Sequence, residues 1–286
     1  MLTDLATMFL WSIFLFSGAC VTAHLHRHMG VLTASQASIM TITALLDVRL
    51  LKLGSDPVLA LLPGLVLAAG LGVLQLAILL QTGAALFLVM TVIAQLVLVE
   101  IWYAVPQLTG GSGGILLPRV EMWSALAGFA LLLVASFWYW RNFVARPAQK
   151  FDWACMKSLG PKAAAFGVPA TRHYALGLAL YGAVLGATGI AATRVLGYLT
   201  VNSFGLTWAL ATLMIVLTAT KKPVLSLMLL AICYCSIRVW LRQSVHASQA
   251  LSHAFEILFP LALLLILKLK DVRRFAHASL PMEISN

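Results

Sequence analysis

Apolar residues fall along this chain in long unbroken runs, not in the alternating or every-third-residue patterns of a soluble fold. They occupy 5–23, 31–47, 58–80, 84–104 and 122–140, then, after a polar interval, 174–193, 205–220, 224–241 and 254–268. A helix needs about 20 consecutive apolar residues to cross the hydrocarbon of a bilayer. The pattern therefore predicts an all-α, polytopic transmembrane helical bundle of about 8–9 membrane segments, with residues 1–286 forming a single domain. Two segments, 31–47 and 205–220, are short enough either to span or to re-enter, because non-helical backbone at membrane depth is tolerated where protein or a water-filled cavity covers it. Asp4 leaves the N-terminus without a basic leader, and the apolar run from Leu5 to Ala23 is long enough to span, so a first transmembrane helix is expected there and not a cleaved signal.

The interval from Arg141 to Arg172 is the longest interruption. It carries Arg141, Arg146, Lys150, Lys157, Lys162 and Arg172 against a single acid, Asp152, with Phe137-Trp138-Tyr139-Trp140 at its upstream edge. Aromatic belts mark membrane–water interfaces, and basic loops between spans are cytoplasmic. With that loop inside, thirteen of the 19 Lys and Arg residues lie inside, and six lie outside: Arg49, Lys52, Arg119, Arg194, Arg238 and Arg242. The N-terminus is then outside and the C-terminus cytoplasmic.

Composition agrees with the pattern. The chain is 62% hydrophobic and 10% charged, with mean hydropathy +0.97, against about 25% charged for soluble domains. The net charge of +10 follows from the positive-inside bias and does not point to nucleic acid.

Few polar groups interrupt the spans. Thr91 and Gln95 share a helix face, and Glu100 lies near the outer end of the same segment, where an interfacial or helix-packing role is favoured over substrate contact. No charged side chain falls near the middle of a predicted span, as a proton- or sodium-coupled carrier would require. His24, His26 and His28 put at most two imidazoles on one helix face with no carboxylate or cysteine beside them, so an interfacial polar turn is favoured over a metal site. Cys233 and Cys235 face different directions on a helix, and buried thiols are expected. Gly64, Ala68, Ala69, Gly70 and Gly72, and on a later span Gly177, Gly182, Gly186 and Gly189, make small-residue stripes that allow close helix packing, either in a translocation core or in a purely structural one. No phosphate-binding Gly-x-x-x-x-Gly-Lys-[Ser/Thr] loop and no catalytic Ser/His/Asp or Cys/His set occurs, so neither an internal ATPase nor an intramembrane enzyme is supported, and no cofactor or metal is expected.

Five ordered stretches carry a family resemblance. Leu108-Thr109-Gly110-Gly111-Ser112-Gly113-Gly114-Ile115 resembles Leu-Thr-Gly-Gly-Ser-Asp-Gly. Gly83 through Gln95 follows a glycine, an aromatic–aliphatic run, a threonine (Thr91) and then a position that is usually Glu. Gly30-Val31-Leu32-Thr33-Ala34-Ser35-Gln36-Ala37 is similar to Gly-Gln-x-Ser-x-Gly-His-Ala. Phe166-Gly167-Val168-Pro169-Ala170-Thr171-Arg172 resembles Leu-Gly-Val-Asn-Val-Thr-Arg, and Leu196-Gly197-Tyr198-Leu199-Thr200-Val201-Asn202-Ser203-Phe204-Gly205 resembles Leu-Gly-Tyr-Val-Ser-Pro-Asp-Ser-Phe-Gly. Together they cover about residues 30–220 and resemble the permease subunits of ABC importers for branched-chain amino acids, urea and related amides. Gln36, Gln95 and Gly113 stand where the family has ionisable groups. Lys157 to Ala164 lacks the family's acid before its alanines, and Thr218 to Pro223 replaces a glycine-rich turn.

The resemblance implies a transport subunit, not an enzyme, in a bacterial inner membrane. Two cytoplasmic ATP-binding subunits, a second homologous permease subunit and an extracytoplasmic solute-binding protein would be its partners, besides membrane lipid. It places Ser35, Gln36, Thr91, Gln95 and Asn202 on the substrate path. Lys157, Lys162, Ala163, Ala164, Phe166, Gly167 and Arg172 fall on the ATPase coupling loop, within about 141–172, where Pro161 ends or kinks a short helix and Gly167 caps it. Two readings from other classes remain beside it: a secondary carrier or channel, and a non-transporting membrane scaffold derived from a permease.

Overall fold

The computed structural model describes residues 2–117, 147–219 and 223–244, with isolated helical positions at 123, 126, 128–130, 132, 134, 258 and 262. The expected segments 122–140 and 254–268 lie outside the described residues apart from those positions. So do the aromatic run Phe137 to Trp140, Arg141, Arg146, Arg119, Lys221, Lys222 and the basic tail.

The described chain is almost entirely helical. α1 (Leu2–His24) continues without a break into a π-helical turn, Leu25–Met29. α2 (Gln36–Lys52) follows after a stretch with no regular structure. One helical run, Pro57–Ala104, departs from helical geometry at Gly83 (φ 75°, ψ 172°), dividing it into α3 (Pro57–Ala84) and α4 (Leu86–Ala104). α5 (Pro147–Leu159) leads into a 3-10 turn, Gly160–Phe166; then come α6 (Ala170–Leu196), α7 (Leu206–Thr218) and α8 (Pro223–Ser244).

Among the described residues, four helical stretches are long and apolar enough to cross a membrane: Met8–Met29, Pro57–Ala84, Leu86–Ala104 and Ala170–Leu196. The two segments expected to be short are short. α2 has 17 residues, and α7 has 13, about 20 Å of helix against roughly 30 Å of hydrocarbon.

Local chemistry sets the boundaries. The Asp56 carboxylate caps α3, accepting from Val58 N (2.8 Å) and Leu59 N (3.2 Å), with Pro57 at the first helical position, where its missing N–H costs nothing. At Gly83 the positive φ is open to glycine, and the chain reverses there. Gln75 and Thr91 lie equally far on either side of Gly83, and both bond to the segment 33–35, which a straight helix would forbid.

α6 is the central helix, packed by α1, α2 and α3. Its glycines let those backbones touch. A Cβ on Gly182 would overlap the Ala68 carbonyl, one on Gly72 the Leu178 carbonyl, and one on Gly189 would sit 2.5 Å from the Met40 oxygen. Lipid tails give helices no reason to associate, so this interlock supplies the packing. Gly70 departs from the expected stripe: it faces outward with nothing near it, because it is rotated off the face shared by Gly64, Ala68 and Gly72.

Candidate functional site

The break between α1 and α2 lies beside Tyr181, about halfway along α6, and gathers a cluster of buried polar side chains. Val31, Thr33 and Ala34 are buried although they belong to no helix, so their backbone needs partners from elsewhere. Ala34 N donates to Thr91 Oγ1 (3.0 Å) and Ser35 N to Thr33 Oγ1 (3.2 Å). Ser35, the N-cap of α2, shares a hydroxyl contact with Thr33 Oγ1 (2.8 Å) and donates to Gln75 Oε1 (3.0 Å). The Tyr181 hydroxyl lies 3.5 Å from Ser35 Oγ. One turn further along each helix, Ser38 donates to Gln95 Oε1, and Gln36 Nε2 donates to Thr22 Oγ1 (2.9 Å). Gln36 Oε1 and Gln95 Nε2 have no partner among the described residues.

Four of the five residues placed on the path from sequence, Ser35, Gln36, Thr91 and Gln95, thus meet at one break. The fifth does not. Asn202 lies in the 3-10 turn Val201–Phe204 beyond the far end of α6, roughly 20 Å along that helix from Tyr181. Thr33, Gln75 and Tyr181 were not foreseen. A single glutamine or tyrosine in an apolar run reads as packing until its partners are known.

The two ends of the bundle differ. At one end α5 lies against the turn of α1. The Tyr174 hydroxyl donates to Met29 O (3.2 Å) and lies 3.5 Å from Met156 O, and Gly30, at φ 69°, sits directly on the Lys157 backbone. Trp153 is buried among imidazoles, 6.1 Å from His24, 5.8 Å from His28 and 5.1 Å from His173 between ring centroids, and His173 Nε2 lies 3.5 Å from Asp152. The expected interfacial histidine turn is therefore a π-helical packing surface, since Trp153 covers the face that carries His24 and His28. Among the described residues no three His, Cys, Asp or Glu side chains are grouped to hold a metal ion.

Of the coupling-loop residues, Lys157, Lys162, Ala164, Phe166, Gly167 and Arg172 are exposed, and Gly167 closes the 3-10 turn in the left-handed conformation. Ala163 is fully buried, so it packs inward and is no part of an outward face. The same correction runs the other way for Cys233, exposed where a buried thiol was expected, while Cys235 is buried.

At the opposite end the stretches 108–115 and 196–205 meet. Strand β1 (Ile115–Leu116) pairs antiparallel with β2 (Tyr198–Leu199), and the turn before β1 is held by Trp102 Nε1 donating to Gly111 O (3.1 Å) and Thr109 Oγ1 donating to Trp102 O (2.6 Å). Arg49 donates to the Gln107 (2.7 Å) and Leu108 (2.9 Å) carbonyls. Beneath them Arg194 forms a forked pair with Asp47 (Nε to Oδ2 2.9 Å, Nη2 to Oδ1 2.6 Å) and also donates to Pro57 O (2.8 Å). Both side chains are fully buried. Nothing local in the sequence points to this pair, and the charge distribution alone places Arg194 among the outside charges. Glu100 is exposed near the same end.

No protein-family model, curated protein or solved structure matches this chain.

Proposed function

We propose that this chain is a permease subunit of an ABC importer of the branched-chain amino acid, urea and amide type, lying in a bacterial inner membrane. It lines the path of a small polar solute with about 8–9 segments, N-terminus outside and C-terminus cytoplasmic. Two cytoplasmic ATP-binding subunits drive it, a second homologous permease subunit completes the path, and an extracytoplasmic solute-binding protein delivers the solute.

The observation that carries this reading is the convergence of Ser35, Gln36, Thr91 and Gln95 on one break in a discontinuous helix. Irregular backbone and unpartnered amides in a span cost several kcal/mol each in contact with hydrocarbon, and they are kept where a solute passes. The two ends of the bundle support the orientation. Arg27, Lys157, Lys162 and Arg172 gather with α5 at one end, which becomes the cytoplasmic one, and the 105–117 turn becomes external. On the cytoplasmic side, Ala164 and Phe166 offer an exposed small-residue and aromatic surface for an ATPase groove.

Uptake of radiolabelled leucine and urea by cells expressing the chain with such partners tests the reading. Gln95→Leu should lower uptake severalfold at equal membrane abundance. Uptake no higher than in cells lacking the chain would leave it a membrane scaffold. Ala164→Asp should leave the chain folded and uncouple ATP hydrolysis from transport, whereas neutralising Lys150 and Lys157 should weaken attraction to anionic lipid instead. Unchanged ATPase co-purification and unchanged solute-stimulated hydrolysis in Ala164→Asp would remove the turn Gly160–Phe166 from the coupling surface.

A further inference from the structure

The first turn of α2 faces two amide side chains held in the same way. From α3, Gln75 accepts through Oε1 from Ser35 Oγ (3.0 Å) and Thr33 Oγ1 (3.3 Å). From α4, Gln95 accepts through Oε1 from Ser38 Oγ. Both carbonyl oxygens are engaged, neither NH2 group donates a hydrogen bond among the described residues, and Gln95 Nε2 is buried without a partner. Gln75 is 8% exposed and Gln95 1% exposed.

A buried donor left unused inside a span, as Gln95 Nε2 is, needs an acceptor. α2 adds a further attraction, because a helix that starts inside the membrane directs the positive end of its dipole, about half a charge, at whatever sits beyond its N-cap. The neighbours at the break are the hydroxyls of Thr33, Thr91 and Tyr181, and no acidic side chain is among them. The Thr33, Ser35 and Thr91 hydroxyl protons are already given to Gln75 Oε1 and the Leu88 carbonyl. The spare donors are therefore the amide NH2 groups, in the positive potential of the helix end. Such a place suits an anionic oxygen and disfavours a cation.

We propose that the α2 N-terminus, with the Gln75 and Gln95 amides, binds a carboxylate oxygen of the solute. As a point on a solute path it rests on the permease reading, but the chemistry of binding is separable from transport. The Gln75 amide is the specificity-determining group, because two hydroxyls fix its plane and aim its N–H groups away from them.

The test is equilibrium dialysis with the full chain in lipid nanodiscs. The probes are radiolabelled L-leucine and 3-methylbutylamine, which is leucine without its carboxylate. Leucine should bind at least about tenfold more tightly than the amine, as expected when a charged hydrogen-bonding partner is lost. Gln75→Leu and Gln95→Leu should each weaken leucine binding about tenfold. Gln75→Glu should abolish leucine binding and leave the amine bound no more weakly than in the parent chain. Equal binding of both probes, no leucine binding to the parent chain, or leucine binding unchanged in the folded Gln variants would each overturn the proposal. Leucine binding with this pattern but no ATP-driven uptake would refute the permease reading and leave the site standing.

Discussion

The two ends of α2 are built on opposite principles. At the C-terminal end, Asp47 and Arg194 form a buried, two-pronged ion pair, and Arg194 also satisfies the Pro57 carbonyl where α3 begins. At the N-terminal end, Ser35, Gln36 and Ser38 engage neutral hydroxyls and amides, leaving Gln36 Oε1 and Gln95 Nε2 unpartnered. One end joins three helices with full charge complementarity. The other keeps hydrogen-bonding capacity in reserve at the level where a solute would pass. Within a single helix, the charged end is paired and the uncharged end leaves amide groups unpaired.

The comparison breaks first at the charged end. Arg194→Met leaves a buried carboxylate without its partner, and the expected loss is about 3–5 kcal/mol, read as a large drop in thermal midpoint of the detergent-solubilised chain. The double variant Asp47→Leu/Arg194→Met should regain most of that stability, because replacing both members of a buried pair by apolar groups is close to neutral. If the double variant stays as unstable as the single one, the pair has a role beyond mutual compensation.

Thr91→Val sits between the extremes. It removes the acceptor of Ala34 N while preserving shape, so a buried amide is stranded at the break, and about 1–3 kcal/mol should be lost in the same assay. A variant as stable as the parent would mean that the break finds another acceptor.

The smallest stability effect is expected at Gln36. Its Oε1 has no partner, and Thr22 keeps its bond to the Gly18 carbonyl when the amide is gone. Gln36→Leu should therefore shift stability by less than about 1 kcal/mol while lowering uptake severalfold. Losses of similar size in stability for Gln36→Leu and Arg194→Met would erase the distinction between the two ends.

How much of this was legible beforehand depended on what each residue's neighbours in sequence disclose. Thr91 and Gln95 stand out because amides and hydroxyls are rare in apolar runs, where desolvation makes each conspicuous, and Ser35 and Gln36 stand out through the family resemblance of Gly30 to Ala37. The packing glycines stood out by their spacing, which repeats with the helical turn and so foretells a shared face, although Gly70 lies off that face. The shortness of 31–47 and 205–220 was visible because bilayer thickness sets the length of a spanning helix.

The pairing of Asp47 with Arg194 is invisible in the sequence, since nothing local links residues 147 positions apart. Nothing in the sequence marks Gln75 and Tyr181, because their partners arrive only when α3 turns back at Gly83 and α6 crosses the break. Ala163 and Ala164 are indistinguishable by composition, and only the placement of the 3-10 turn against the bundle buries one and exposes the other. Hydropathy along the chain determined which stretches are apolar helices, since the bilayer selects for length and polarity one segment at a time. Which polar atoms meet, which charges pair and which donors stay unused was decided by the tertiary structure alone, because hydrogen bonds and ion pairs depend on contacts between helices that no single segment contains.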